Sequence, residues 1–323
     1  MNTFKKIGLT ALAGSLVAVS VNAADLSVTG AAGITFAGQD KTAKGNGWSM
    51  TDNMTFAGSA ELDNGWTVAT SFLLDNSDGA AAAIFDTRTL TIDMNDMGFL
   101  TFHGADGSSA MHAVDDVMPY AGGNEGWDLI TASEGGTALF KRVAGTGGTN
   151  SFKYNNSTLG VDGLSVTASY QPSNATQIEG TVSYAVAYTG VEGLTVGYGA
   201  DENGLLGTAA IDAETMYIKY AYGPITVGMQ ESETDADTAL NSDEFSAMGI
   251  SYTVSDDLSI SYSESSYDAG DQALDEEHTM IGASYTMGSM SLAVSMNTID
   301  NAGGSTAVID DVQGYELALS FVF

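Results

Sequence analysis

Four carboxylates, Asp115, Asp116, Glu125 and Asp128, lie close together in the stretch from 104 to 148. Acids gathered at a narrow, partly desolvated opening concentrate cations and turn anions away. The same stretch carries Met111, Val117, Met118, Tyr120 and Trp127, side chains that dock a loop instead of leaving it in solvent. A connection of that length inside a compact domain is either functional or unfolded, and the apolar anchors favour function. Ser108 to Val117 is expected to form a short helix carrying His112, Asp115 and Asp116, followed by Pro119-Tyr120 and a turn at Gly122-Gly123.

Other chemistries have little to draw on. The chain holds three histidines, His103, His112 and His278, and no cysteine, which is too few ligands for zinc and leaves no thiol nucleophile. No phosphate-binding glycine loop and no Gly-x-Ser-x-Gly elbow occurs. Catalysis is therefore not expected, and His103 and His112, at the start of the long stretch, are read as lining its opening. A second acidic group, Glu231, Glu233, Asp235 and Asp237, offers hard oxygens of the type that bind Ca2+. The competing reading is a solvated acidic rim whose repulsion salt screens, and no other cofactor is implied.

The elements that position these residues are strands. From Asp25 onward, alternate side chains separate by polarity, as they do on the two faces of a strand. Leu26, Val28, Ala32, Ile34 and Phe36 alternate with Ser27, Thr29, Ala31, Gly33 and Thr35, and Tyr315, Leu317, Leu319, Phe321 and Phe323 alternate with Glu316, Ala318 and Ser320. Tight connections recur at 63–65, 95–98, 160–163, 190–193, 223–224, 255–257 and 286–288. Between them fall longer acidic or glycine-rich stretches near 37–47, 75–83, 104–148, 171–177, 200–213, 231–243, 264–277 and 298–312. Seven short and eight long connections in strict alternation join sixteen strands with both ends on the short-turn side.

An even number of antiparallel strands with short turns on one side and long loops on the other is the connectivity of an outer-membrane barrel. Lipid supplies no hydrogen-bond partner, so a spanning sheet must close on itself. A barrel of about sixteen strands encloses an aqueous channel, whereas one of about eight fills with its own side chains. The expected fold is thus an all-β, 16-stranded antiparallel transmembrane barrel with its long third loop folded into the pore. Rings such as Trp48, Tyr170, Tyr188, Tyr220, Tyr252 and Tyr285, near strand ends on the apolar face, fit the girdles found at headgroup level. A calcium-stabilised β-solenoid would repeat a short glycine-aspartate unit, and none is present. A sugar-specific channel would show an aromatic slide, for which Trp127, Tyr120 and Trp48 are the candidates.

Composition fixes the compartment. Lys5 and Lys6 precede an apolar run from Ile7 to Val21 that ends in small residues, a secretory signal peptide expected over residues 1–23, with the barrel over 24–323. Removing that segment takes two of the nine basic residues and none of the 41 acidic ones. So acidic a chain repels nucleic acid, whose binding depends on basic contacts to phosphate. The expected partners are outer-membrane lipid, ions and small hydrophilic solutes.

The stretch Asp116-Val117-Met118-Pro119-Tyr120-Ala121-Gly122-Gly123 resembles the Asp-x-x-Pro-Glu-Phe-Gly-Gly run in the third loop of the Gram-negative general diffusion porins, and most of all the alphaproteobacterial ones. Arg142-Val143-Ala144-Gly145, Val161-Asp162-Gly163-Leu164, the opening strand and the terminal Phe323 add to the likeness. The resemblance implies a homotrimer in the outer membrane, passive diffusion of ions and small solutes, and a loop that constricts the pore through Asp115, Asp116, Glu125, Asp128 and Tyr120. It also implies that Phe323 belongs to the signal read by the assembly machinery. Tyr120 stands where the family has a glutamate. The family's arginine cluster on the facing wall is thinly matched, its candidates here being Arg142, Lys153, Lys219, Lys44 and Arg88. Arg88 shares parity with Leu90 and Ile92, which points it outward unless a bulge intervenes. Acids outnumber these bases, so the pore is expected to prefer cations.

Overall fold

A chain that alternates this regularly must satisfy every backbone group within its own sheet once lipid surrounds it. The computed structural model describes residues 25–40, 47–75, 85–122, 143, 145–157, 159–172, 180–202, 211–236, 242–270, 272–302, 304 and 311–323. The expected signal segment, and with it the cleavage point, lies outside the described residues. The strands are β1 (Asp25–Gln39), β2 (Gly47–Glu61), β3 (Thr67–Asp75), β4 (Arg88–Asp93), β5 (Phe99–Ala105), β6 (Ser151–Asn156), β7 (Leu164–Gln171) and β8 (Thr181–Val191). They continue with β9 (Leu194–Glu202), β10 (Ile211–Tyr222), β11 (Ile225–Ala236), β12 (Asp243–Ser255), β13 (Leu258–Ala269), β14 (Glu276–Met287), β15 (Met290–Asp300) and β16 (Asp311–Val322). Each pairs antiparallel with its sequence neighbours and β1 pairs with β16, so the sixteen strands form a closed ring without an edge.

The seven tight turns fall where the sequence placed them. Gly193 (φ 75°) and Gly288 (φ 61°) take the left-handed backbone that such turns need and that glycine adopts without steric cost. The ring is sealed at the same end. Ala31 to Gln39 pair with Val322 to Gly314, and beyond them Gly30 and Phe323 exchange both backbone hydrogen bonds at 2.8 and 2.9 Å. The Phe323 ring lies over Gly30, where a Cβ would sit 2.7 Å from its edge.

Register assigns the faces. Phe36 pairs with Trp48, Phe56 with Phe72, and Ile250 with Tyr262, so the apolar sets of successive strands share the outer surface. Ile250, Tyr252, Ile260, Tyr262 and Ile281 are all exposed there. Such a continuous apolar surface is a liability in water and is solvated by hydrocarbon in a bilayer. Phe36, Trp48 and Tyr315 cluster near the long-loop end, with ring centroids 4.7 and 5.9 Å from Phe36, an arrangement suited to the headgroup level.

Several strands reach further than the sequence suggested. β11 runs to Ala236, β13 to Ala269 and β15 to Asp300, into stretches read as loops from 231, 264 and 298. Glu231, Glu233 and Asp235 are therefore strand residues. They alternate outward with inward Ser232 and Thr234, and Glu233 stands opposite both Glu214 and Glu244. The ladder outlasts the apolar band because unpaired backbone gains nothing by leaving it. Once both faces are polar, alternation no longer marks a strand.

Candidate functional site

The third long connection, between β5 and β6, turns into the barrel. Its two legs leave the wall as a narrow ribbon, with Gly107 and Gly148 exchanging backbone hydrogen bonds at 3.1 and 2.6 Å and the Ser109 N–H donating to the Thr146 carbonyl at 2.8 Å. The loop then follows the inner wall. The N–H of Ala110 donates to Ser169 Oγ on β7 at 2.8 Å, that of Met111 to Ser183 Oγ on β8 at 2.9 Å, and that of Val117 to Gln230 Oε1 on β11 at 3.4 Å. On β13 the Ser261 hydroxyl accepts from the Ala121 N–H at 2.7 Å and lies 2.9 Å from the Ala121 carbonyl. Met111, Val114 and Met118 are buried and belong to one apolar cluster with Ala185 and Tyr217 of the wall.

The helix expected over 108–117 is a single 3₁₀ turn, Met111–Ala113. Past that turn the Val117 N–H, a donor the helix would need, is committed to the Gln230 amide of the wall. In the sequence, Ser169, Ser183 and Ser261 stand out from no other polar residue of their strands. Their spacing around the ring, which turns them into loop anchors, is a tertiary property that no single strand displays.

The carboxylates separate into two kinds. Asp116 and Tyr120 are exposed on the lumen side of the loop. Asp115, expected beside Asp116 at the opening, is 1 % exposed. Its Oδ2 accepts from the Gly145 N–H at 2.6 Å, and its carbonyl accepts from Gln230 Nε2 at 2.6 Å. It thus ties the returning leg to the outgoing one. Asp201 of β9, which the sequence reading passed over, holds the same leg through the Thr146 N–H and hydroxyl at 2.5 and 2.8 Å. Glu125, Asp128 and Trp127 lie outside the described residues, as do Lys44, Lys141, Arg142 and Asp237.

Two of the basic candidates reach the lumen. Lys153 is inward on β6 and donates to Ser108 Oγ at 2.9 Å, beside the base of the loop. Lys219 is inward on β10, with Nζ 5.7 Å from the centre of the Tyr217 ring, within cation–π range. Arg88 pairs with outward Phe72 and gives its guanidinium to the Gly104 carbonyl at 3.0 Å. The register does shift at Arg88 and Thr89, but the irregularity is absorbed on β5 and leaves Arg88 outside. Facing the loop, the inward positions of β1 to β5 are mainly hydroxyls and amides such as Thr51, Asn53, Thr55, Ser71, Thr89 and Thr101. Acids appear there only at strand ends, and the five strands present no lysine or arginine inward.

The histidines divide similarly. His103 faces inward on β5, and His112 Nδ1 lies 3.4 Å from Ser109 Oγ. His278 lies between Ser265 Oγ, 3.1 Å from Nδ1, and Asn297 Oδ1, 2.8 Å from Nε2. A hydroxyl, an imidazole and an amide in line have the composition of a nucleophilic triad. These three are buried at 8, 2 and 1 % exposure and bond one another across β13, β14 and β15. Among the described residues no three imidazole or carboxylate groups converge on a point where a metal ion would sit.

A hollow sealed ring, apolar outside and hydroxyl-lined within, crossed by one anchored loop, is the anatomy of a transmembrane pore. The sequence model of the Gram-negative porins matches residues 8–304. The chain belongs to the Gram-negative porin family. No curated protein sequence matches this porin. Solved structures similar to it include an anion-selective porin from Comamonas acidovorans, 15% identical, with TM-score 0.67 over 93% of this chain and 100% of that one. A loop-deletion variant of OmpT, an outer membrane protein of Vibrio cholerae, is 16% identical, with TM-score 0.67 over 94% and 100% of the two chains. A variant of the Rh. blastica porin is 14% identical, with TM-score 0.66 over 93% and 100%. At such identities the likeness is one of fold. The porin is an outer-membrane channel protein.

Proposed function

We propose that this porin is a water-filled, cation-preferring diffusion channel for ions and small hydrophilic solutes. The observation that carries the reading is the distribution of charge across the lumen. Loop 3 presents Asp116 to the opening, while among the described residues the facing wall of β1 to β5 turns mainly hydroxyls inward and no lysine or arginine. An exposed carboxylate at a narrow opening, across from a wall of neutral hydroxyls, raises local cation concentration. Lys153 and Lys219, the inward lysines among the described residues, stand on the loop's own side, at its base on β6 and beneath it on β10. Reversal potentials across planar bilayers in a salt gradient test this. A potential of the sign set by cation flow is expected, reduced in Asp116→Asn, and a potential set by anions overturns it.

We further propose that the channel works as the homotrimer its resemblance implies. β4, β5 and β6 have six, seven and six residues. At about 3.3 Å per residue and a tilt of about 40° they rise roughly 15–18 Å, short of the ~25 Å apolar band of such barrels. This low wall carries outward Leu90 and the adjoining rings of Phe102 and Phe152, centroids 5.0 Å apart and tilted by 54°, a surface suited to another copy of the chain. Cross-linking in outer-membrane vesicles should trap trimers, and Leu90→Glu should shift the population to monomers. Exclusively monomeric protein in the parent would refute it.

A further inference from the structure

Between residues 110 and 122 the loop crosses the inner face of the strands from β7 to β15, and what lies beneath it alternates between two kinds of residue. Some wall positions give a short polar side chain that bonds the loop backbone, as Ser169, Ser183, Gln230 and Ser261 do. Others are glycine. A Cβ at Gly199 would lie 2.5 Å from Val114 Cγ2, one at Gly228 2.7 Å from Pro119 Cδ, and one at Gly249 3.2 Å from both Pro119 Cδ and the Pro119 carbonyl. At Gly282 a Cβ would meet the Ala121 carbonyl. Carbon atoms rest about 3.5–4.0 Å apart, so three of these positions exclude any side chain while the loop is in place, and Gly249 tolerates one only if Pro119 yields.

The backbone does not demand glycine at these four sites, since none has the left-handed φ seen at the turns. Glycine inside a strand weakens it, and its usual explanation there is the close approach of another backbone. All four sit at inward positions, on β9, β11, β12 and β14, at successive crossings of one segment. Outward Gly58 on β2 has ample room, its Cβ meeting nothing nearer than 3.8 Å.

We infer that Gly199, Gly228, Gly249 and Gly282 are positioning residues that form a track, and that the depth of this track, not the length of the loop, sets how far loop 3 projects into the lumen. Side chains missing from the wall determine the free cross-section on the opposite side. The inference rests on the chain being an open channel narrowed by this loop, and it is independent of which ion the channel prefers.

The contact between Gly228 and Pro119 gives a test by paired substitution in single-channel recordings. Gly228→Ala should push Pro119 toward the lumen and lower conductance by roughly a tenth to a third, while Gly58→Ala leaves it unchanged. Pro119→Ala removes the atom that Cβ would strike, so Gly228→Ala combined with Pro119→Ala should conduct like Pro119→Ala alone. Gly199→Ala, whose Cβ would strike Val114 Cγ2, supplies a second such pair with Val114→Ala should Gly228→Ala fail to reach the heat-modifiable folded form. Conductance unaltered in the single variants, or equally reduced in the single and paired ones, overturns the track. Reversal potentials recorded on the parent channel bear on the selectivity reading alone: a potential set by anions, with the pairing intact, overturns that reading and leaves the track standing.

Discussion

Replacing Asp115 by alanine separates an anchor from an aperture charge. The carboxylate is buried and receives the Gly145 N–H at 2.6 Å. Hydrogen bonds to a charged group contribute about 1.5–3 kcal/mol net, which is about a tenfold to a hundredfold change in the ratio of docked to undocked returning leg. Lumen water takes over part of the lost acceptor role, favouring the lower end of that range. The strand ladders do not include Asp115, so the barrel itself should unfold at the parental temperature. Single-channel traces at constant voltage should show greater open-channel noise in Asp115→Ala. Asp115→Asn, which keeps an acceptor oxygen, should remain close to the parent. A quiet Asp115→Ala channel would refute the anchoring role. So would an equal loss of cation preference in both variants without added noise, which would return Asp115 to the opening.

Other consequences of the geometry are open to measurement. Ile281→Arg places a charge on the lipid face and should cost about 2–4 kcal/mol if near the bilayer midplane, whereas Ser263→Arg, on the inward face of β13, should fold normally and reduce conductance. Equal costs in a urea-driven folding assay would contradict the assigned faces. Phe323→Ala should lower the yield of heat-modifiable barrel in the outer membrane, and unchanged yield would show that the ring over Gly30 is dispensable. Asp201→Ala removes both bonds to Thr146 and should increase open-channel noise as Asp115→Ala does; traces as steady as the parent's would remove Asp201 from the set of anchors.

The barrel was legible because one physical demand, lipid outside and water inside, acts on every second residue. Leu26 to Phe36 and Tyr315 to Phe323 announce their outward face without any neighbour, and tight turns such as Gly223-Pro224 punctuate the strands. Legibility failed where that demand lapses. Glu231 to Asp235 lie above the apolar band, so both faces are polar and the strand looks like a loop. Asp115 and Asp116 are adjacent and chemically identical, yet one is buried and the other exposed, a distinction made by where Gly145 and Gln230 arrive. Asp201 and the inward serines gave no separate signal, because a residue that anchors a loop and one that merely wets a channel have the same polarity. Arg88 shows the two signals in conflict: parity points it outward, where the register keeps it, while the family likeness made it a candidate for the pore wall.

The seam between the first and last strands has a kinetic side. Gly30 and Phe323 stand at opposite ends of the barrel sequence, and their pairing is the least local backbone pairing among the described residues. Closing so long a loop incurs its entropic cost before any reward. Until that final step, two ribbons of unsatisfied amides lie open, each a template for a stray strand. A nascent copy is therefore vulnerable to aggregation in transit until its own tail reaches its beginning.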